Sequence, residues 1–412
     1  MNTAAAQPPS PGTEVDVVVV GARCTGSPLA MLLARQGHRV LVLERDRFPS
    51  DTMSTHWVQR PGIERLARWG LLDALADTGC PPLERISLDF GGLALSGAPT
   101  SDDAATGPAV TYAPRRTVLD RLLADAARAA GAELREGVTV LDVLREADGG
   151  PVSGVLAGTA DGGRFTVRAR VVVGADGRNS TVARAVDAPV LVDRGPLAAT
   201  AYAYWTGLAV DGVEAHFRPG SGLSMWPTHE GRTVVALSLR REAFRAWGRD
   251  RRRGYLDALA GFPGAAGRIA AARLAGPVRG AAGLRNYYRQ SHGPGWALAG
   301  DAGHHKDPIA ARGISDAFTD AENLAAALHD ALTGKLPPDR ALARYQARRD
   351  AGSAAMFEFA CRQAALTGAD EHLTAAVRQA REDPVAAGRL LGVFAGARRL
   401  DELLPRTAPG TR

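Results

Sequence analysis

Asp301 ends a short apolar run, Trp296 to Ala299, in the turn Gly300-Asp301. Such a run reads as a buried strand, so the turn sets one carboxylate at a strand tip. His304-His305-Lys306-Asp307 follow, then Pro308 and Gly313, where a long apolar-periodic helix begins. The carboxylate suits the hydroxyls of a polyol. The helix N–H groups and dipole favour negative charge beside it. A flavin joins both parts, a ribityl chain and a ring that becomes anionic on reduction.

A second set of residues lies near the start. Asp16–Val20 reads as a buried parallel strand, Gly21–Gly26 as a turn, Ser27–Gln36 as a helix and Arg39–Glu44 as the next strand. Glu44 lies 23 positions after Gly21. These are the parts of a dinucleotide motif, with pyrophosphate at the helix N-terminus and a carboxylate on the adenosine ribose. The glycine pattern is broken, because Arg23 replaces the second Gly of GxGxxG. Its guanidinium is expected to pair with phosphates that sit slightly further out. A third acid, Asp176, follows a strand in Gly174-Ala175-Asp176-Gly177-Arg178 and precedes another helix.

These residues need a substantial scaffold. The 412 residues are 45% hydrophobic and 23% charged, values of a globular chain with two or three domains. No apolar run approaches the ~18 residues of a membrane span. The first 13 residues read as a loose tail without the basic and apolar regions of a signal peptide. Three separated cysteines fit a reducing cytoplasm. The net charge of +6 comes from dispersed arginines, and the run Arg251–Arg253 has no interleaved aromatics, so no nucleic-acid partner is expected. Helices are expected at Arg60–Trp69, Leu71–Ala76 and Thr117–Ala130, the last with Thr117 as N-cap. About four strands fill 199–240, helical segments fill 241–272, and helices dominate after 338.

The three motifs together resemble the FAD-dependent monooxygenases of the aromatic-hydroxylase type, the para-hydroxybenzoate hydroxylase-like family. The resemblance covers roughly residues 14 to 335, with 155 residues from Gly21 to Asp176 and 125 from Asp176 to Asp301. It implies an α/β fold: a Rossmann-like FAD-binding domain of the GR2 type, a mixed β-sheet substrate domain and a C-terminal helical segment. The expected boundaries are 14–85, 110–190 and 275–335 for the FAD domain, and 86–109 and 191–274 for the substrate domain. Residues 336–402 form the helical region, expected to cap the FAD domain or pack in a dimer, and 1–13 and 403–412 are tails.

The resemblance also implies roles. Gly21, Arg23, Gly26, Glu44 and Arg45 would surround the adenosine and pyrophosphate. Arg116, in Arg116-x-x-Leu119-Asp120, would reach the phosphates or ribityl chain. Asp176 would lie between FAD and the nicotinamide path. Gly300 and Asp301 would hold the ribityl or pyrophosphate part, and Pro308, Gly313 and Ile314 would lie along the isoalloxazine. The family's G-Q-G-x-N is here Ala311-Arg312-Gly313-Ile314-Ser315, so its Gln and Asn contacts are missing. His56, His304 and His305 are the candidate catalytic residues. The histidine pair lacks a third ligand at supportive spacing, so no metal is expected. Tyr202, Tyr204 and Trp226 are candidates for the substrate cavity.

The implied activity is oxygenation of a small aromatic or polycyclic substrate by O2, through a flavin C4a-hydroperoxide, with NAD(P)H as reductant. No second dinucleotide motif occurs, so NAD(P)H binds transiently or a partner flavin reductase supplies reduced flavin. Monomer and homodimer are both compatible with the sequence. The alternatives are a reductase of the geranylgeranyl-reductase type, a flavin halogenase and a non-catalytic flavoprotein. Tryptophan-type halogenases carry a tunnel lysine and a Trp-x-Trp-x-Ile-Pro segment. Here no lysine precedes Lys306, and the nearest match is Met225-Trp226-Pro227.

Overall fold

The computed structural model describes residues 14–101, 109–368 and 371–400. The expectations for 1–13, 403–412 and part of 86–109 lie outside these residues. The chain opens with β1 (Glu14–Val20), α1 (Gly26–Arg35) and β2 (Val40–Glu44). The run of valines in β1 is buried on both faces, as a central parallel strand requires. Helix α1 turns Leu29, Met31 and Leu33 into the core, each worth roughly 1.5–3 kcal/mol on burial.

Helix α2 (Arg116–Ala129) follows, then β3 (Glu133–Glu136), β4 (Arg164–Gly174), α3 (Thr181–Ala185) and β5 (Trp296–Leu298). Thr117 is therefore inside α2, and Arg115 takes the cap position with no side-chain cap bond. The sheet order is β5-β4-β1-β2-β3, and these five strands run parallel. The chain builds outward one way from β1 to β3 and the other way from β4 to β5. The reversal falls between β1 and β4, where a crevice opens at the strands' carboxyl ends. Gly21, Glu44, Asp176 and Asp301 all emerge at that edge.

Four long strands, Ala198–Thr206, Val213–Arg218, Ser221–Thr228 and Arg232–Arg240, form the centre of a second sheet. Their pairing is antiparallel, with one parallel partner, Ile86–Asp89. A three-stranded sheet joins Val190–Pro196, Arg285–Arg289 and His304–His305.

Helix α4 (Gly313–Leu332) runs beneath the first sheet, and α5 (Pro338–Ala364) packs along it. Tyr345 of α5 donates to the Leu298 carbonyl at 3.0 Å, tying α5 to the motif strand. Helices α6 (Glu371–Ala380) and α7 (Pro384–Phe394) do not take the first of the two expected positions, over the FAD domain. Leu373, Val377, Leu390 and Leu391 share a core with Trp57 and with Tyr202, Tyr204 and Trp226 of the second sheet. Their amphipathic pattern showed that a face is buried, not against what.

Candidate flavin and active site

A cleft of about 430 Å³ runs along the carboxyl edge of the first sheet. Glu44 and Arg45 line one end, and Pro308, Gly313 and Ile314 line the other. Gly21, Arg23, Arg116, Asp176, Gly300 and Asp301 lie between them. Gly26 sits behind this wall. A Cβ on it would stand 1.8 Å from the Gly21 carbonyl oxygen, so only glycine lets helix and turn meet. Gly21 takes φ +94°, the left-handed region, beside the Ala175 carbonyl.

Glu44 is buried and accepts N–H bonds from Ala22 at 2.8 Å and Asp46 at 3.0 Å. Each oxygen accepts one of them, which leaves each a lone pair for a ribose hydroxyl. Arg45 lines the same end, its side chain 76% exposed.

Arg23 lines the cleft, and its guanidinium is also held by protein partners. Its guanidinium donates to Asp120 at 2.7 Å, Asp46 at 2.7 Å and the Ser50 hydroxyl at 2.8 Å. It clamps the turn after β2 to α2. Arg116 Nε donates to the other Asp120 oxygen at 2.9 Å. Burial opposes the Arg116 charge, but Asp120 above all, with Asp301, holds its pKa above the ordinary arginine value. Asp120 is the hub of this wall, and sequence reasoning missed it. Its i,i+4 spacing from Arg116 was the available signal. Burial pushes the Cys24 thiol up, so it stays protonated beside the cleft.

Asp176 has two roles. One oxygen accepts the Thr181 N–H at 2.6 Å at the start of α3. The other is buried with no hydrogen-bond partner among the described residues. Burial raises its pKa against the bonds from Ser180 and the backbone.

His56 lines the cleft and carries φ +71°, a strained value for a non-glycine residue. Its ring stacks on Tyr204 at 5.7 Å, and Nε2 shares a hydrogen bond with the Tyr204 hydroxyl. Nδ1 has no partner among the described residues. Burial first, then Arg116, Arg115 and Arg279, hold the His56 pKa well below the usual histidine value. The unfolded chain takes up a proton near pH 6.5 that folded His56 refuses. This stability contribution is therefore present above about pH 6.5 and lost as pH falls below it. His56→Gln should shrink the loss of stability between neutral pH and about pH 5 by up to about 2 kcal/mol, read by urea melts at both values. An unchanged pH dependence would contradict this.

Tyr202 lines the cleft and its hydroxyl accepts the Ser54 N–H at 3.4 Å. Tyr204 lines neither cavity and supports His56 from behind. His304 and His305 lie in a buried strand. His304 stacks on Tyr288 at 5.5 Å, and its Nδ1 lies 3.3 Å from Asp320, which also accepts the Gly300 N–H at 2.9 Å. His305 Nδ1 donates to the Arg285 carbonyl at 2.6 Å, leaving Nε2 as an acceptor. Among the described residues no three His, Cys, Asp or Glu side chains form a metal-binding group.

A second cavity of about 100 Å³ opens from the flavin end. The two share Thr55, Trp57, Thr200, Pro308 and Ala311 as walls. Beyond these, Trp226 and Phe217 face Met356, Phe359 and Phe394 of the C-terminal helices. Trp226 is fixed by its indole N–H, 2.9 Å from the Thr55 carbonyl.

FAD fits the cleft. Glu44 supplies acceptors at one end, Asp176 and Asp301 supply acceptors in the middle, and the N-terminus of α4 has no side-chain cap at the other. A Cβ on Gly313 would meet nothing within 4 Å, so space lies open over that terminus. The fold and cleft define a dinucleotide-binding α/β protein with a flavin site. The FAD binding domain family matches residues 14–262 and 279–360, so the chain belongs to that family, and FAD is its cofactor.

The chain is 31% identical over 379 residues to the 12-dehydrotetracycline 5-monooxygenase/anhydrotetracycline 6-monooxygenase of Streptomyces rimosus, covering 86% of this chain and 70% of that protein. It is 36% identical over 167 residues to the rifampicin monooxygenase of Streptomyces venezuelae, covering 40% of this chain and 33% of that relative. The chain thus spans a third of that relative's length. It is 26% identical over 342 residues to the digeranylgeranylglycerophospholipid reductase of Methanocella arvoryzae, covering 81% and 82%. The crystal structure of PqsL from Pseudomonas aeruginosa superimposes with a TM-score of 0.68 at 25% identity, covering 92% of this chain and all of that one. The halogenase CndH gives 0.79 at 21% identity over 95% and 99%, a likeness of fold alone.

Proposed function

We propose that this chain is an FAD-dependent monooxygenase that inserts one oxygen atom of O2 into a small aromatic substrate, with NAD(P)H as reductant. The observation that carries the reading is the apolar cavity opening onto the flavin end of the cleft. Bound FAD supplies the redox chemistry, taking two electrons and activating dioxygen. The residues of the chain supply the rest. Glu44 and Asp301 orient the cofactor. Trp57, Trp226, Phe359 and Phe394 hold the substrate and exclude water, which protects an oxygenating site from wasteful peroxide release. His56 offers its unpartnered Nδ1 to a ligand in the cleft, and burial keeps the ring uncharged.

The cavity limits the substrate. At about 100 Å³ it is smaller than the ~150 Å³ cavity that holds one benzene. The reacting ring therefore lies in the shared mouth between Thr200 and Pro308, and an apolar substituent enters the cavity. Rifampicin and anhydrotetracycline are the first probes, taken from the names of the monooxygenase relatives. Oxygenated product formed only with O2 and NAD(P)H supports the reading. Reduction of substrate under nitrogen would instead favour the reductase chemistry suggested by the archaeal relative. Phe394→Ala should raise KM for an accepted substrate up to about tenfold, about 1.4 kcal/mol, with kcat within about twofold. Unchanged KM would remove α7 from the substrate site. A reducing cytoplasm is the proposed setting, and no helix among the described residues is long and apolar enough to cross a membrane.

A further inference from the structure

The segment from His304 to Asp316 gathers buried polar atoms that the protein leaves unsatisfied. Among the described residues, Lys306 Nζ, Arg312 Nε, Asp307 Oδ2, Asp316 Oδ2 and His304 Nδ1 lack a well-aligned hydrogen-bond partner. Lys306 is only 9% exposed. Its Nζ lies 2.6 Å from Asp316 Oδ2, and Arg312 Nε lies 3.8 Å from Oδ1 of the same carboxylate. Two cations therefore share one anion. Burial works against the Asp316 charge, but Lys306 and Arg312 hold its pKa below the usual carboxylate value. Arg312 is also engaged by Gln59, at 2.8 Å. Lys306 has three N–H donors and one carboxylate neighbour.

Lys306, Arg312 and Asp316 all line the cleft at the end away from Glu44, at the uncapped N-terminus of α4. Burial raises the pKa of neighbouring Asp307 and disfavours its charge, which leaves the cations in excess beside a helix N-terminus, and both favour an anion there. Asp316 itself lies in the first turn of α4 and offsets part of this field, so Lys306 and Arg312 set what remains. With the adenosine at Glu44, the flavin ring is the part of FAD that reaches this end. Two electrons and one proton turn the neutral oxidised ring into a monoanion. We propose that the Lys306 ammonium holds this negative charge, and that Asp316 sets how strongly. The inference rests on FAD binding and not on the oxygenation reading, so each can fail without the other.

The test is the two-electron midpoint potential of purified holoprotein, measured against reference dyes under nitrogen. Lys306→Met should shift the equilibrium toward oxidised flavin at least about tenfold, which is about 30 mV for two electrons. Lys306→Arg should keep most of the wild-type potential. Asp316→Asn should move it the other way, toward reduced flavin. Opposite shifts from Lys306→Met and Asp316→Asn establish the assignment. A Lys306→Met potential within about threefold of wild type, or a fall with Asp316→Asn, overturns it. If Lys306→Met does not hold FAD, Asp316→Asn decides alone: a rise supports the assignment, and no change or a fall rejects it.

Discussion

Replacing Asp120 with Ala is expected to lower stability by about 3–5 kcal/mol and to abolish tight FAD binding. Asp120 is fully buried and accepts from Arg23 at 2.7 Å and Arg116 at 2.9 Å. Removing it strands a buried Arg116 and a mostly buried Arg23 without their shared anion. Two arginines then repel across the wall that faces the pyrophosphate. The α2 start and the turn after β2 lose their common anchor together. Asp120→Asn keeps the shape and one acceptor, so it should fall between wild type and Asp120→Ala. Urea melts and a flavin fluorescence titration measure both effects. An Asp120→Ala protein within about 1 kcal/mol of wild type, with FAD affinity within threefold, would remove Asp120 from its place as hub.

Gly26→Ala is the second large effect, expected at about 3 kcal/mol or more with FAD affinity down at least a hundredfold. The new methyl would stand 1.8 Å from the Gly21 oxygen and 3.1 Å from a Val19 methyl. Backbone cannot yield as a flexible side chain does, so α1 must tilt away from β1. The tilt withdraws the helix N-terminus from the phosphates. Gly352→Ala is the matched control, because its Cβ would enter open space on the exposed face of α5, away from the cleft. The same titration and melts apply. Equal behaviour of the two variants would show that the close approach at Gly26 does not hold the nucleotide turn.

The strands and the cleft were legible because their signals are local. Asp16–Val20 and Trp296–Ala299 are apolar runs ending in small-residue turns, and such runs pair as buried parallel strands. Gly21, Glu44, Asp176 and Asp301 each end a strand, so naming the strands named the cleft's edge. What stayed hidden depends on contacts far apart in the chain. The protein partners of Arg23, Asp46 and Asp120, are 23 and 97 residues away from it. The strand of His304 and His305 carries no local signal, because it is two residues long and pairs with Tyr287 and Tyr288. The destination of α6 and α7 was unreadable, since an apolar helix face does not specify its partner. Tyr202 and Tyr204 stand two apart on one strand and share a face, so only the packed His56 separates their tasks.

The oxygenation proposal is tested most directly by one turnover of reduced holoprotein with ¹⁸O2 and an accepted aromatic substrate. The account predicts one ¹⁸O atom in the product, found by mass spectrometry, and no product under nitrogen. Product without label, or product formed equally well in the absence of oxygen, would contradict it.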